Sequence, residues 1–431
     1  MLPISSPKTT VGTNNRRDEE DASSVGKKHA TLVSFFRSLL CRIGVVDYRK
    51  IIHSIKVGIA LVLVSLLSIL QPLNDPVGDN AMWAVMTVVV VFEFTAGATI
   101  SKGINRAVGT MVGGGLGCAI ALVAKNHGEI GRALTICPTV FLFSAIASFY
   151  RLVPSIKRKF DYGFMIFILT FNLVAVSGFR GEEIIKLAIN RLSTIGVGII
   201  ICEFTSLFIF PIWAGDELHR CLVSKFDNLA LSIKDCFEEY FKPMDRKGET
   251  QTSIAMNGCK LVLNSKSSDE TLANFASWEP WHGKFRFCYP WNKYLLIGEL
   301  LRELAACIIA LEGSLRSDRQ SPASSRLTIK EPCEAVGKLL CFTLRELGDT
   351  IFKMKQLQLH ESITGELHLT RLQLQFALSA CKFETSANEN DIGGRLPLAS
   401  ILLMLKEIVD KVEILAKEVE QLGGLAGFLA Q

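Results

Sequence analysis

From Ile51 to Trp213, long apolar runs follow one another with short polar gaps, at about 51–70, 81–98, 105–124, 132–150, 160–178 and 190–212. Each run is about 18 to 23 residues, the length at which a helix rising 1.5 Å per residue crosses a hydrocarbon layer of roughly 30 Å. Taken alone, Val88-Val89-Val90-Val91 could be a buried parallel strand. Strands run about 4 to 8 residues, however, and these segments are more than twice that length. The pattern predicts six membrane-spanning helices in a domain of residues 45–213.

After Trp213 the apolar positions recur at helical spacing among charged residues, which predicts a helical cytosolic domain over 214–431. Asp216 to Lys242 is one amphipathic stretch, and a polar, poorly patterned region follows to about Asp269. Helical patterns resume at about 290–316, 327–357, 365–384 and 396–422, with Ser321-Pro322-Ala323-Ser324-Ser325 as a loop. In the last helix, Leu398, Ile401, Leu405, Ile408, Val412, Leu415, Val419 and Leu422 alternate spacings of three and four. That seam suits either a bundle core or a coiled-coil contact between subunits. Residues 1–44 contain no signal-peptide core and read as a disordered tail on the side where it is made.

Composition agrees with two unlike halves, because 49% of residues are hydrophobic while 21% are charged. A disulfide scaffold, a collagen-like chain and a wholly disordered protein are excluded. A net charge of +5 without a compact Lys/Arg block interleaved with aromatics argues against a nucleic-acid partner. The twelve cysteines form no CxxC pair and no zinc spacing, so they read as reduced, structural thiols. No cofactor or resident metal is expected.

Orientation follows from the basic residues in the gaps. Arg42, Arg49 and Lys50 precede the first run, Lys102 follows the second, and Arg151, Lys157, Arg158 and Lys159 follow the fourth. The gap at 71–80 carries Asp75 and Asp79 with no basic residue, and the gap at 177–189 balances Arg180 and Lys186 against Glu182 and Glu183. Positive charge gathers on the cytosolic side, so both termini are expected in the cytosol.

Gly109, Gly113 and Gly117 recur every fourth residue, as in closely packed membrane helices, and Gly114 and Gly115 widen that face. No Lys-Ser or Lys-Thr pair closes the run as a phosphate loop would require. Ionisable groups within the spans are Lys56, Glu93, Arg106, Arg191 and Glu203, each costing about 2.5–3.5 kcal/mol at a bilayer centre. Lys56 lies near the cytosolic end and is expected to reach the headgroups. Glu93 and Glu203 read as partners of nearby cations or as protonated acids.

Arg106 closes Ile104-Asn105-Arg106 at the start of the third span, and Arg191 closes Ile189-Asn190-Arg191 at the start of the sixth. With three spans per half the halves insert in opposite senses, and such inverted repeats place their substrate between equivalent elements near the midplane. Arg106 and Arg191 are therefore expected to approach one aqueous path from two sides. Guanidinium offers a planar fork to both oxygens of a carboxylate, and a position at a helix start would add the positive end of the dipole. Conduction needs sites shared or weak enough to release the anion. A coupled organic-acid carrier, cycling a proton on Glu93 or Glu203, is the alternative; an enzyme is not expected, since no HExxH, phosphate loop or spaced nucleophile and base occurs.

Tyr48 to His53, the run Ala81-Met82-Trp83-Ala84 through Phe94, the glycines around Gly113, Phe160-Asp161-Tyr162-Gly163, Ser177-Gly178-Phe179-Arg180, Arg191-Leu192-Ser193-Thr194, Pro211-Ile212-Trp213-Ala214-Gly215 and the Trp278-Glu279-Pro280 motif carry a specific likeness. Over about residues 45–310 the chain resembles the plant aluminium-activated malate transporter family of anion channels. The resemblance implies a homodimer in a lipid bilayer, six spans per subunit, a helical cytosolic domain, and passive movement of malate and often chloride or nitrate. It also implies that the Arg106 and Arg191 positions line the pore. A plasma membrane is the expected location ahead of the vacuolar one. A trivalent cation would want clustered outward carboxylates, for which Asp75, Asp79, Glu182 and Glu183 are available. Lys186 places a positive charge among them, and aluminium activation is not expected. The aromatics around Trp278-Glu279-Pro280 read as a plug between the two domains.

Overall fold

The computed structural model describes residues 48–70, 81–125, 128–177, 184–241, 252–286, 289–318, 330–355, 360–385 and 392–428. Thirteen helices make up these residues: α1 (Tyr48–Leu70), α2 (Ala81–Val91), α3 (Ala96–Lys125), α4 (Glu129–Leu152), α5 (Pro154–Ser177), α6 (Ile184–Phe208), α7 (Ala214–Phe241), α8 (Thr252–Leu263), α9 (Lys266–Ala276), α10 (Trp291–Asp318), α11 (Lys330–Lys353), α12 (His360–Thr385) and α13 (Ile392–Ala426). Among the described residues no strand forms; His282 and Phe285 make an isolated bridge. The backbone divides into two units, Met1–Ile59 and Ala60–Gln431, with the boundary inside α1. In the first unit Lys56 is 1% exposed, which corrects the expectation that its ammonium reaches the headgroups.

Five helices, α1, α3, α4, α5 and α6, are long and apolar enough to cross a membrane. Their outward faces are apolar: on α4, Ile130, Leu134, Phe141 and Phe149 are all more than 60% exposed. Water would penalise such a continuous apolar face and hydrocarbon would not, so these faces are built for lipid.

The second expected span is corrected. Its helix, α2, stops at Val91 after 11 residues, and a four-residue break at 92–95 separates it from α3. Thr95 accounts for the restart, since its Oγ accepts the Ala98 amide at 3.4 Å, as an N-cap does. Thr99 Oγ accepts the Glu93 amide at 3.1 Å, which closes the break. The Ile212 carbonyl, from the segment after α6, accepts the Ala96 amide at 2.8 Å.

Between α3 and α5 the backbones nearly touch. A Cβ added at Gly109 would fall 2.5 Å from the Gly163 carbonyl oxygen, at Gly113 2.8 Å from the Phe167 carbonyl oxygen, and at Gly117 2.9 Å from Val174 Cβ. Such small residues allow close contact between helices that have no hydrophobic drive to associate in lipid. Gly198 does the same between α6 and α2, 2.9 Å from the Ala84 carbonyl oxygen. At the α4–α5 corner, Arg151 Nε donates to Asp161 Oδ1 at 2.8 Å.

Helices α7 to α13 share one hydrophobic core. Ile401, Leu405, Ile408, Val412, Leu415, Val419 and Leu422 of α13 are each 0–1% exposed, so this seam is filled by the chain's own helices. The region read as poorly patterned contains α8 and the start of α9. Met256, Cys259 and Val262 of α8 join the core against α7 and α10, and this burial stabilises a helix with little pattern of its own. Deeper in the bundle, Asp269 Oδ2 accepts from Lys225 Nζ at 2.5 Å, Arg302 Nη1 at 3.0 Å and Ser265 Oγ at 3.1 Å, a buried charge held by three donors.

Candidate functional site: a cationic cavity and the Trp-Glu-Pro junction

A cavity of about 370 Å³ lies between α2, α3, α5 and α6, and both Arg106 and Arg191 line it. Most of its wall is apolar, from residues such as Met111, Ile166, Leu169, Leu173 and Ile195, and no described carboxylate is part of it. Gly114 and Gly115 also line it, rather than widening the α3–α5 seam as expected. A Cβ at Gly115 would meet nothing within 4 Å, so these two glycines make room for the cavity itself.

The two guanidiniums are held differently. Arg106 is 6% exposed, and its Nη1 donates to the Tyr162 hydroxyl at 3.1 Å, while its buried Nε has no partner. Arg191 lies with Cζ 5.0 Å from the Trp83 ring centre, and its Nε and Nη1 are both buried without a partner. Neither residue begins a helix. α3 starts at Ala96 and α6 at Ile184, so each arginine sits two or more turns inside, beyond the reach of the helix dipole. The expected dipole contribution is thereby corrected.

Glu93 and Glu203 stand away from this wall. Glu93 occupies the break before α3, outside any helix, and pairs with Lys102. Glu203 lies against α3 where Gly103 has no side chain, 2.8 Å from the position a Cβ would take. Asp75, Asp79, Glu182 and Glu183 lie outside the described residues. Trp83, Tyr162, Thr110 and Cys118 line or brace the cavity, a role the sequence reading assigned to none of them. Thr110, four residues after Arg106 and so on the same helix face, carries a local signal, whereas Trp83 and Tyr162 reach the arginines from other helices.

The Trp-Glu-Pro motif forms a second built cluster. The Glu279 side chain is 1% exposed. Its Oε1 accepts the Ala214 amide at 2.6 Å and the Gly97 amide at 3.3 Å, and its Oε2 accepts the Gly215 amide at 3.1 Å. One carboxylate thus caps the N-termini of both α3 and α7. Burial raises the Glu279 carboxyl above the ordinary range, against the opposing pull of these amides and of His282. The His282 ring stacks on Trp213 at 3.9 Å between centres, and Trp278 packs edge-on against Phe160 of α5. The motif therefore joins α9, α3, α5 and α7 into one junction.

Apolar membrane-crossing helices around a cavity with two guanidinium groups define a multi-pass membrane protein with a positively charged interior. The chain belongs to the Aluminium activated malate transporter family, whose profile matches residues 41–395. It is 42% identical over 341 residues to aluminum-activated malate transporter 12 of Arabidopsis thaliana, covering 79% of this chain and 61% of that one. Aluminum-activated malate transporter 2 of the same plant is 41% identical over 396 residues, covering 90% of this chain and 77% of the relative. For aluminum-activated malate transporter 1 of Triticum aestivum the identity is 36% over 395 residues, covering 89% and 83%. The chain spans 58–64% of the length of the Arabidopsis relatives numbered 12, 13 and 14. These relatives are named as transporters and not as enzymes.

Proposed function

We propose that the chain forms a passive anion path for malate, and for chloride and nitrate, with Arg106 and Arg191 as its fixed positive sites. The observation that carries this reading is that arginines from α3 and α6, 85 positions apart in the sequence, share one cavity whose described lining holds no carboxylate to neutralise them. An unpaired cation in an apolar wall is costly, and an entering anion lowers that cost. Two such groups in one cavity let a dicarboxylate exchange water for guanidinium contacts while neither site holds it too tightly to leave.

Six spans as two inverted halves, with α2 and the break at 92–95 forming the second crossing and α3 the third, a second copy completing the path, and α7 to α13 in the cytosol at a plant plasma membrane, complete this reading. Its support is the family, the apolar helices and the cationic gaps in the sequence. A proton-coupled carrier would require a carboxyl on the path, and both Glu93 and Glu203 stand off the cavity wall.

Whole-cell recording in malate and in chloride tests the proposal. Arg106→Gln and Arg191→Gln are each expected to lower malate current several-fold at unchanged surface density, with reversal at the anion equilibrium potential. Wild-type conductance and selectivity in both variants overturn the assignment, and a reversal potential that follows the proton gradient replaces it with the carrier.

A further inference from the structure

Resting on the reading above, we propose that Trp83 is a positioning residue that presents Arg191 edge-first to a carboxylate and so sets the preference for organic over monatomic anions. The two cavity arginines are braced by opposite means. Arg106 spends Nη1 on the Tyr162 hydroxyl, so one of its donor edges is already partly used. Arg191 is held with Cζ 5.0 Å from the Trp83 ring centre, and that contact leaves Nε and Nη1 without a hydrogen-bond acceptor. Nε and Nη1, one from each of its donor edges, are left buried and unpartnered.

A guanidinium in that state lacks the two-point acceptor that a planar carboxylate supplies. A chloride ion, a single sphere, answers one donor at a time. Charge alone therefore attracts both anions, and the orientation of the fork distinguishes them. Indole is the strongest aromatic partner for a cation, and the helix that carries it, α2, packs on α6, which carries Arg191. Without the ring the charge persists, but the side chain turns over several rotamers and the edge is no longer presented.

The test is the malate-to-chloride permeability ratio, read from reversal potentials of the full chain, because a purely structural role of Trp83 would alter the number of working channels and not this ratio. Trp83→Leu is expected to lower the ratio about threefold or more, with anion-over-cation selectivity retained, and Trp83→Phe to hold it within about twofold. Arg191→Lys keeps the charge without the fork and is expected to fall with Trp83→Leu. A wild-type ratio in Trp83→Leu overturns the proposal. If that variant does not reach the surface, a wild-type ratio in Arg191→Lys does so. Should Arg191→Gln and Arg106→Gln both leave malate current unchanged, the pore assignment fails first; a shift in Arg191→Gln with none in Trp83→Leu removes only the role of Trp83.

Discussion

Gly109 of α3 meets the backbone of Gly163 of α5 so closely that a Cβ on Gly109 would sit 2.5 Å from the Gly163 carbonyl oxygen. Backbone cannot swing aside as a side-chain tip can, so a larger residue must part the helices. Gly109→Val is expected to cost about 1–3 kcal/mol or more and to lower the thermal midpoint and yield of the full chain in detergent. Gly115, six positions on, faces open cavity. Gly115→Ala should leave the thermal midpoint equal or higher, since alanine favours helix by about 1 kcal/mol, while Gly115→Leu should reduce current at normal surface density. Equal destabilisation at both positions would refute this division of the glycines.

Glu279 neutralises three amides at two helix starts. Glu279→Ala leaves Gly97, Ala214 and Gly215 without an acceptor, a loss on the order of 3 kcal/mol. Glu279→Gln retains one oxygen and should cost roughly 1 kcal/mol. The order wild type, Gln, Ala in thermal midpoint is the expected outcome; Ala equal to wild type would show that water replaces the carboxylate freely.

His219 of α7 is buried, with Nδ1 2.9 Å from the Tyr294 hydroxyl, which in turn lies 3.1 Å from that of Tyr289. Burial pushes its pKa below the ordinary 6.5, outweighing the Phe352 carbonyl and Asp216, which raise it; Lys284 and Arg220 add to the lowering. As pH falls below about 6.5 the unfolded chain takes up this proton before the folded one does, so stability is full above that point and is lost on acidification. The slope is bounded by one proton, about 1.4 kcal/mol per pH unit. His219→Gln should flatten the fall in thermal midpoint between about pH 7 and pH 5. An unchanged slope would assign the acid sensitivity to other groups.

Cys118 is half-buried on the cavity wall. A negatively charged methanethiosulfonate should react there, because two guanidiniums concentrate anions beside the thiol. Current should fall by more than half on treatment, malate should slow the loss, and Cys118→Ser should abolish it. Loss of current in Cys118→Ser at the same rate would place the reactive thiol elsewhere.

Periodicity was sufficient to locate the long apolar helices and the helices now numbered α7 and α10 to α13, because burial in lipid or in a bundle imposes a repeat on each segment separately. The arginines, the glycine seam and the Trp-Glu-Pro motif were likewise visible as residues. Their roles needed distances. The break at 92–95 depends on Thr95 together with an acceptor at Ile212, more than a hundred positions away, so the run 81–98 alone reads as one helix. In the same way α8 and α9 exist through burial against α7 and α10, and Gly114 and Gly115 face a cavity while their neighbours face α5. Chemical identity and local spacing are written residue by residue; which carboxylate caps which helix, and which cation meets which ring, follows from packing between segments remote in the chain.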